Sequence, residues 1–121
     1  MDKWQAQHNF WSGFGVPAYE EHSVPDGAPF PYITYEAATS VFESLVSITA
    51  SIWTRSTSWT QADALANAIE NHIKDMGCPL IDGGRYRVYI GDTTFAQKMD
   101  DPNDDQIKRI VLNVTFEYMT I

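Results

Sequence analysis

"QIKRIVLNVTFEYMTI", Gln106 to Ile121, decides the fold, because its side chains alternate between an apolar and a mostly polar set. A period of two places alternate residues on opposite faces of a strand. The apolar set is Ile110, Leu112, Val114, Phe116 and Tyr118. Residues 107–120 would extend about 45 Å at roughly 3.3 Å per residue, whereas a typical strand has about five or six residues. We therefore expect part of this strand to project beyond its own sheet or to pair with another chain, which predicts an oligomer.

Four other segments have the alternation of strands. They are Tyr32–Glu36, Leu45–Arg55, Arg85–Gly91 and Thr93–Met99. Gly91 and Asp92 fit a type II′ turn, which predicts that the last two of these segments form a hairpin. With the C-terminal strand, the pattern predicts a mainly antiparallel sheet of four to five strands.

One long amphipathic helix is predicted over Ser58–Gly77. Ser58 and Gln61 have the spacing of a capping box, and Gly77 supplies a residue that can leave the helix in the left-handed conformation. Its apolar side chains recur every three or four residues and are Ala62, Leu65, Ile69, Ile73 and Met76. This stripe predicts a helix of about five turns that packs on the sheet.

A second, short helix is predicted over Asp2–Ser12, with Asp2 as its cap. Trp4 and Trp11 lie on one stripe of it, and an isolated helix of this length is marginal in water. Its tryptophans are therefore expected to dock on the sheet of the same chain or on a neighbouring subunit. Taken together, the elements predict one α+β domain over 1–121, with an N-terminal helix (1–15), a proline-rich arm (16–31) and a core (32–121).

The last part of the arm and the strand that follows it have the sequence "VPDGAPFPYITYE", Val24 to Glu36, where three prolines precede aromatic residues. Proline stiffens an extended segment and lowers the entropy that it loses on docking. An ordinary ordered loop is one explanation. The alternative is a docking segment, in which aromatic and apolar side chains contact the adjoining subunit. The candidate interface residues are Phe30, Tyr32, Tyr35, Trp4, Trp11 and Met119.

Composition excludes several classes of function. The 121 residues carry 16 acidic and 8 basic side chains, a net charge of −8 that opposes non-specific binding to nucleic acid. No apolar run reaches the length of a membrane span or of a signal-peptide core, so we expect a protein that stays in the compartment where it is made. Cys78 is the only cysteine, which leaves no internal disulfide.

Catalytic and ligand-binding motifs are missing from the sequence. There is no nucleophile elbow, phosphate-binding loop, HExxH or CxxC, and the acidic run "DDPNDD" lacks the spacing of a calcium-binding loop. We therefore predict no enzymatic activity, no cofactor and no metal site. The rival interpretation is a small α+β enzyme or ligand-binding protein whose cleft is lined by Tyr35, Trp53, Tyr86 and Tyr89.

Two stretches together carry a resemblance to a known family. "FGVPAYEEHSVPDGAPFPYITYE", Phe14 to Glu36, and "GDTTFAQKMDDPNDDQIKRIVLNVTFEYMT", Gly91 to Thr120, resemble the tail terminator or tail completion proteins of long-tailed bacteriophages. The resemblance implies a virion protein, assembled in the host cytoplasm, whose subunits close into a ring, commonly of six. Such a ring caps the tail tube, binds the tail tube protein and the head–tail connector proteins, and lets DNA pass without binding it specifically. Another connector or head-closure ring protein is the alternative.

The acidic turn, defined here as residues 100–105, acquires a role in that setting. Its carboxylates are Asp100, Asp101, Asp104 and Asp105. Since like charges repel, we expect a DNA conduit to be acidic, and we predict that this turn faces the lumen or the rim of the ring. A turn that simply faces bulk solvent is the alternative.

Overall fold

The computed structural model describes residues 1–91 and 94–121. In this part of the chain, two helices pack on one face of a single curled sheet of seven strands. The elements are α1 Lys3–Ser12, β1 Ala18–Glu20, β2 Tyr32–Tyr35, β3 Ser44–Arg55, α2 Thr60–Asp75, β4 Leu80–Ile81, β5 Gly84–Tyr89, β6 Ala96–Asp100 and β7 Ile107–Met119. The strand order is β1-β2-β3-β7-β5-β4, and β6 also pairs with β7. All pairs are antiparallel except β1 with β2.

The C-terminal strand β7 is the centre of the sheet. On one side it pairs with β3 over the whole length of that strand, from Ser44 opposite Tyr118 to Arg55 opposite Ile107. On its other side it pairs with β5 and β6. The expectation that this long strand projects beyond its sheet or is completed by another chain is therefore wrong. Its length is used to join three strands of the same chain.

The predicted hairpin between the third and fourth strand segments is also wrong. β5 and β6 do not pair with each other, because both run antiparallel to β7 along the same edge. Tyr89 lies opposite Thr115 and Ala96 lies opposite Leu112, so β5 and β6 resemble one strand interrupted by residues 90–95. The predicted type II′ turn at Gly91 and Asp92 includes residue 92, which lies outside the described residues.

The sheet has more strands than the four to five predicted, and α2 is shorter than the predicted helix. The additional strands are β1, which lies inside the proline-rich arm, and β4; they contain only three and two residues. Strands this short leave no period for a sequence pattern to reveal. α2 contains 16 residues, and Trp59, its N-cap residue, makes no side-chain capping bond. The Ser58 hydroxyl instead accepts a hydrogen bond from the Thr60 N–H, so the predicted capping box is absent.

Even-numbered residues of β3, β5 and β7 face the helices and form the core. Ile48, Leu112 and Phe116 are at most 2% exposed on this covered face. α2 contributes Ile69, which is fully buried, and α1 contributes Phe10, whose ring meets that of Phe116 edge-on at 5.6 Å. α1 begins with the predicted cap, and Asp2 and Gln5 form a complete capping box. One layer of helices therefore covers one face of the sheet, and the other face is open.

Candidate functional site

The open face of the sheet has no covering helix in the described residues. It carries the odd-numbered residues of β3, β5, β6 and β7, together with Tyr32 and Thr34 of β2. Paired strands place opposite residues side by side, so the register arranges these side chains in rows across the sheet. The chemistry changes from row to row along β7, and three zones follow from it: an aromatic row, a polar middle and an arginine end.

The aromatic row consists of Tyr32, Trp53, Arg109 and Met99, which are consecutive partners across β2, β3, β7 and β6. The rings of Tyr32 and Trp53 are stacked with centroids 6.3 Å apart, and the Arg109 guanidinium lies 4.6 Å from the Trp53 centroid. Trp53 Nε1 donates to Thr34 Oγ1 at 2.9 Å. These contacts fix the Trp53 ring between two planar groups, the Tyr32 ring and the Arg109 guanidinium.

The arm supplies the outer part of this zone. The Phe30 ring lies 5.3 Å from that of Tyr32, and the Arg55 guanidinium lies 5.9 Å from the Phe30 ring. The Tyr19 ring, from β1, meets Tyr32 edge-on at 5.9 Å. Phe30 and Tyr32 are half-buried by these contacts. Part of the aromatic content of the arm thus packs on the sheet of the same chain, and the remaining exposed parts of these rings stay candidates for an interface.

The polar middle of the open face carries small hydroxyl and amide side chains. Ser47 and Thr115 are cross-strand partners, and their hydroxyl oxygens lie 2.9 Å apart. Asn113, opposite Thr49, donates from Nδ2 to the carbonyl oxygen of Thr94 at 2.9 Å. A shallow cavity of about 480 Å³ lies above these residues. Small side chains leave this part of the sheet surface nearly flat.

The arginine end consists of Leu45, Leu80, Arg85, Arg87 and Met119. Leu45 and Arg87 flank Glu117 in one row, and Leu80, Arg85 and Met119 form the next. Leu45 is 56% exposed and Leu80 is 58% exposed. Both arginines are exposed as well. Exposed leucines beside arginines are typical of a surface that binds a partner rather than water alone.

Glu117 lies inside the arginine end but is engaged by a neighbour. The Tyr89 hydroxyl donates a hydrogen bond to the Glu117 carboxylate, and this bond raises the pKa of Tyr89 above its ordinary value. The Arg87 guanidinium lies 4.2 Å from the centroid of the Tyr89 ring. Among the described residues, no carboxylate oxygen lies within 4.0 Å of a nitrogen of Arg85 or Arg87.

The acidic turn leaves the sheet beside the aromatic row, at the opposite end from the arginines. Asp101 Oδ1 accepts from the backbone N–H groups of Asn103 and Asp104, at 2.8 Å and 3.2 Å. Asp104 pairs with Arg55, Nη1 to Oδ2, at 2.6 Å. These bonds order the turn by its own side chains. Asp100 and Asp105 are exposed at its two ends.

The six candidate interface residues are distributed over both faces. Trp11 and Tyr35 lie in the core, where they are 0% and 6% exposed, and their rings stack at 6.4 Å. Trp4 is 55% exposed, so only one of the two helix tryptophans docks on the same chain. Met119 lies half-buried in the arginine end. The exposed surface near the candidates is therefore that of Trp4, Met119 and the arm.

The cleft proposed for an enzyme or ligand-binding protein is not formed. Tyr35 and Tyr86 are buried on the covered face, whereas Trp53 and Tyr89 lie on the open face. The sheet itself separates the two pairs, so the four side chains cannot line one cavity. The sequence interpretation failed because tyrosine is common on both faces of a sheet.

One group of side chains in the described residues has the composition of a metal site. Glu20, Glu21 and His22 have ligand atoms within 4.8 Å of one another. His22 Nδ1 lies 2.7 Å from Glu20 Oε1, and this hydrogen bond lowers the pKa of Glu20 and raises that of His22. His22 is 81% exposed, and consecutive residues in a surface turn approach each other without any ion. We assign no metal to it.

Sequence reasoning missed the arginine end and the role of Arg109. The alternation "RYRVY" did carry a signal, since it places Arg85 and Arg87 on one face opposite buried Tyr86 and Val88. Their meeting with Leu45 depends on pairing with residues far away in the chain.

No known family model matches this chain, and no curated protein matches it either. Neither helix in the part of the chain that the structure describes is long and apolar enough to cross a membrane.

Proposed function

We propose that this chain is the subunit of a ring, formed by six copies, that closes the tail tube of a long-tailed bacteriophage and joins it to the head. In this role the protein is a structural component of the virion and catalyses no reaction. Its partners are further copies of itself, the tail tube protein and a connector protein of the head. The proposal rests on the resemblance of residues 14–36 and 91–120 to that family and on the surface chemistry of the subunit.

The observation that carries the proposal is the open face with chemically different ends. A ring needs a heterologous interface, in which two different patches of each subunit meet. The aromatic row with the acidic turn, and the arginine end, provide two such patches at opposite ends of one sheet. The sequence also suggested an oligomer because the C-terminal strand looked too long for its own sheet. This argument no longer supports the proposal, since β7 is paired along its length.

The net charge of −8 suits a conduit for DNA. A ring that DNA must cross quickly cannot hold phosphates, and clusters of lysine and arginine are what hold them. Six copies carry about −48 in total, from −8 per chain. Such a surface repels the duplex within the roughly 8 Å over which charge acts at physiological salt.

The mass of the purified protein in solution tests this proposal. A ring of six chains of 13.7 kDa has a mass of about 82 kDa and shows a central hole in negative-stain images. Mixed with tail tubes of the phage that encodes it, the protein is expected to cap one end of each tube. Binding to isolated heads without any binding to tubes would instead identify a head-closure ring. A protein that binds neither, and forms no ring alone or on tubes, would overturn the proposal.

A further inference from the structure

We propose that the arginine end of each subunit binds the acidic turn of the next copy, and that this contact builds the ring. Closure of the assembly into a ring rests on the proposed function. The contact between two copies is inferred independently, from the charge and the position of the two patches. The occupant is thus a second copy of this chain, and the bound segment is Met99–Asp105.

The two arginines of the arginine end make no ion pair in the described residues, and Arg85 Nη1 donates only to the backbone carbonyl oxygen of Cys78, at 3.0 Å. Arg85 and Arg87 are exposed on neighbouring positions of β5, with no carboxylate oxygen within 4.0 Å of them in the described residues. They are two of only 8 basic residues in a chain with 16 acidic ones. Unpaired cations in an acidic protein attract the acidic surface of another copy and steer its approach.

The acidic turn has the complementary composition. Asp100, Asp101 and Asp105 make no ion pair within the described residues, and Met99 beside them is 42% exposed. Met99 and Pro102 can cover Leu45 and Leu80 of the other copy, while the carboxylates of the turn meet the guanidinium groups of Arg85 and Arg87. The hydrogen bonds to Asp101 already order the turn, so little conformational entropy is lost when it docks.

Both patches belong to one chain but cannot meet within it. Asp100 lies opposite Lys108 on β7, and Arg87 lies opposite Glu117, nine positions further along. At about 3.3 Å per residue the two ends are separated by roughly 30 Å of strand. A contact between them therefore joins two copies. Repeated head to tail it generates a ring or an open filament, whereas a reciprocal contact stops at a dimer.

This assignment differs from the position in the lumen or at the rim that the sequence predicts for the turn. A turn that is covered by the next subunit does not face DNA. The two possibilities respond differently to the same substitutions, because a subunit contact depends on the arginines and a lumen position does not.

Charge reversal tests the contact. We expect Arg85→Glu with Arg87→Glu, and separately Asp100→Lys with Asp105→Lys, each to weaken association at least tenfold, measured by analytical ultracentrifugation at low salt. An equimolar mixture of the two variants restores assembly, because each provides the partner that the other lacks. Glu70→Lys with Asp75→Lys, on α2 and away from the open face, is the matched control, since it changes the net charge as much as the aspartate variant and should leave association unchanged.

The outcomes separate the contact from the ring. Association that survives both reversals, or variants of the turn that change only the retention of DNA, overturns the inference and leaves the proposed ring standing. Reversals that weaken association, and a mixture that restores it, support the contact. If the restored assembly and the parent both stop at a dimer, the contact stands and the ring fails. A parent that stays monomeric at low salt and high concentration overturns the inference.

Discussion

The covered face and the open face belong to the same strands but are stabilised differently. On the covered face, neighbours such as Ile69 and Phe116 are fully buried, and the hydrophobic effect acts on nearly their whole surface. On the open face, Trp53 is half-buried and held by a stacked ring, a guanidinium and one hydrogen bond. Substitutions on the covered face should therefore unfold the subunit, whereas those on the open face should mainly alter what the subunit binds.

The largest effect is expected from a charge at the helix–sheet contact. Ile69→Asp places an unpaired carboxylate where the side chain is 0% exposed, and we expect a loss of about 3–5 kcal/mol in the free energy of unfolding. Ala68→Asp, on the exposed side of α2, should cost below about 1 kcal/mol through helix propensity. Urea denaturation measures both. Equal losses for the two variants would contradict the assigned orientation of α2.

A close approach of two backbones gives the next largest effect. A Cβ on Gly84 would lie 2.2 Å from the Met119 carbonyl oxygen and 2.5 Å from the Phe42 ring. Gly84→Ala must therefore push β5 away from β7, at a cost of about 2–4 kcal/mol. Among the described residues, a Cβ on Gly91 meets no atom within 4 Å, so Gly91→Ala should cost little. Thermal denaturation measures both variants. Equal melting temperatures would show that β5 is not packed this closely against β7.

The pH dependence of stability offers a third test of the covered face. Burial raises the pKa of Tyr118 to about 12, above its ordinary value of 10.0. Since the neutral form is the one that fits the fold, this contribution is complete below pH 10 and is lost as the pH rises towards 12. The loss is about 1.4 kcal/mol per pH unit in that window.

Tyr118→Phe isolates this contribution. The Tyr118 hydroxyl is buried with no hydrogen-bond partner in the described residues, so its removal should leave stability unchanged or raise it by about 1 kcal/mol. Denaturation at pH 9 and pH 11 compares the two proteins, and the variant should lose less stability between these pH values. An identical loss in both would place Tyr118 in contact with solvent.

Trp53→Ala on the open face is expected to cost less stability than Ile69→Asp or Gly84→Ala on the covered face. The variant loses the stacking on Tyr32, the Arg109 contact and the hydrogen bond to Thr34, together about 1–2 kcal/mol for a half-buried ring. Trp53→Phe keeps the ring and should recover most of this loss. A cost comparable to that of Ile69→Asp would mean that the open face is covered in the folded subunit.

The sequence predicted what local periodicity controls. The buried side of β3 and β7, the apolar stripe of α2 and the cap of α1 all follow from spacing within one segment. The sequence could not predict which strands pair. The segments that contain Tyr89 and Ala96 have the pattern of a hairpin, but each of them pairs with β7 instead. The candidate surface is a product of those pairings, since Leu45, Glu117 and Arg87 form a row only through the register. β1 and β4 are too short to have a period.

The most direct test of the account is a cross-link between the two ends of the open face. In a Cys78→Ser background, Leu45→Cys and Pro102→Cys place one thiol in the arginine end and one in the acidic turn without removing a charge. The ends of one chain are roughly 30 Å apart along β7, so the two thiols of one chain cannot join.

Mild oxidation followed by electrophoresis without reductant should give a ladder of covalent oligomers that stops at the size of the closed ring. The variants with Pro102→Cys alone and with Leu45→Cys alone should each stay monomeric. A double variant that stays monomeric, or that stops at the dimer, would contradict head-to-tail assembly through the open face.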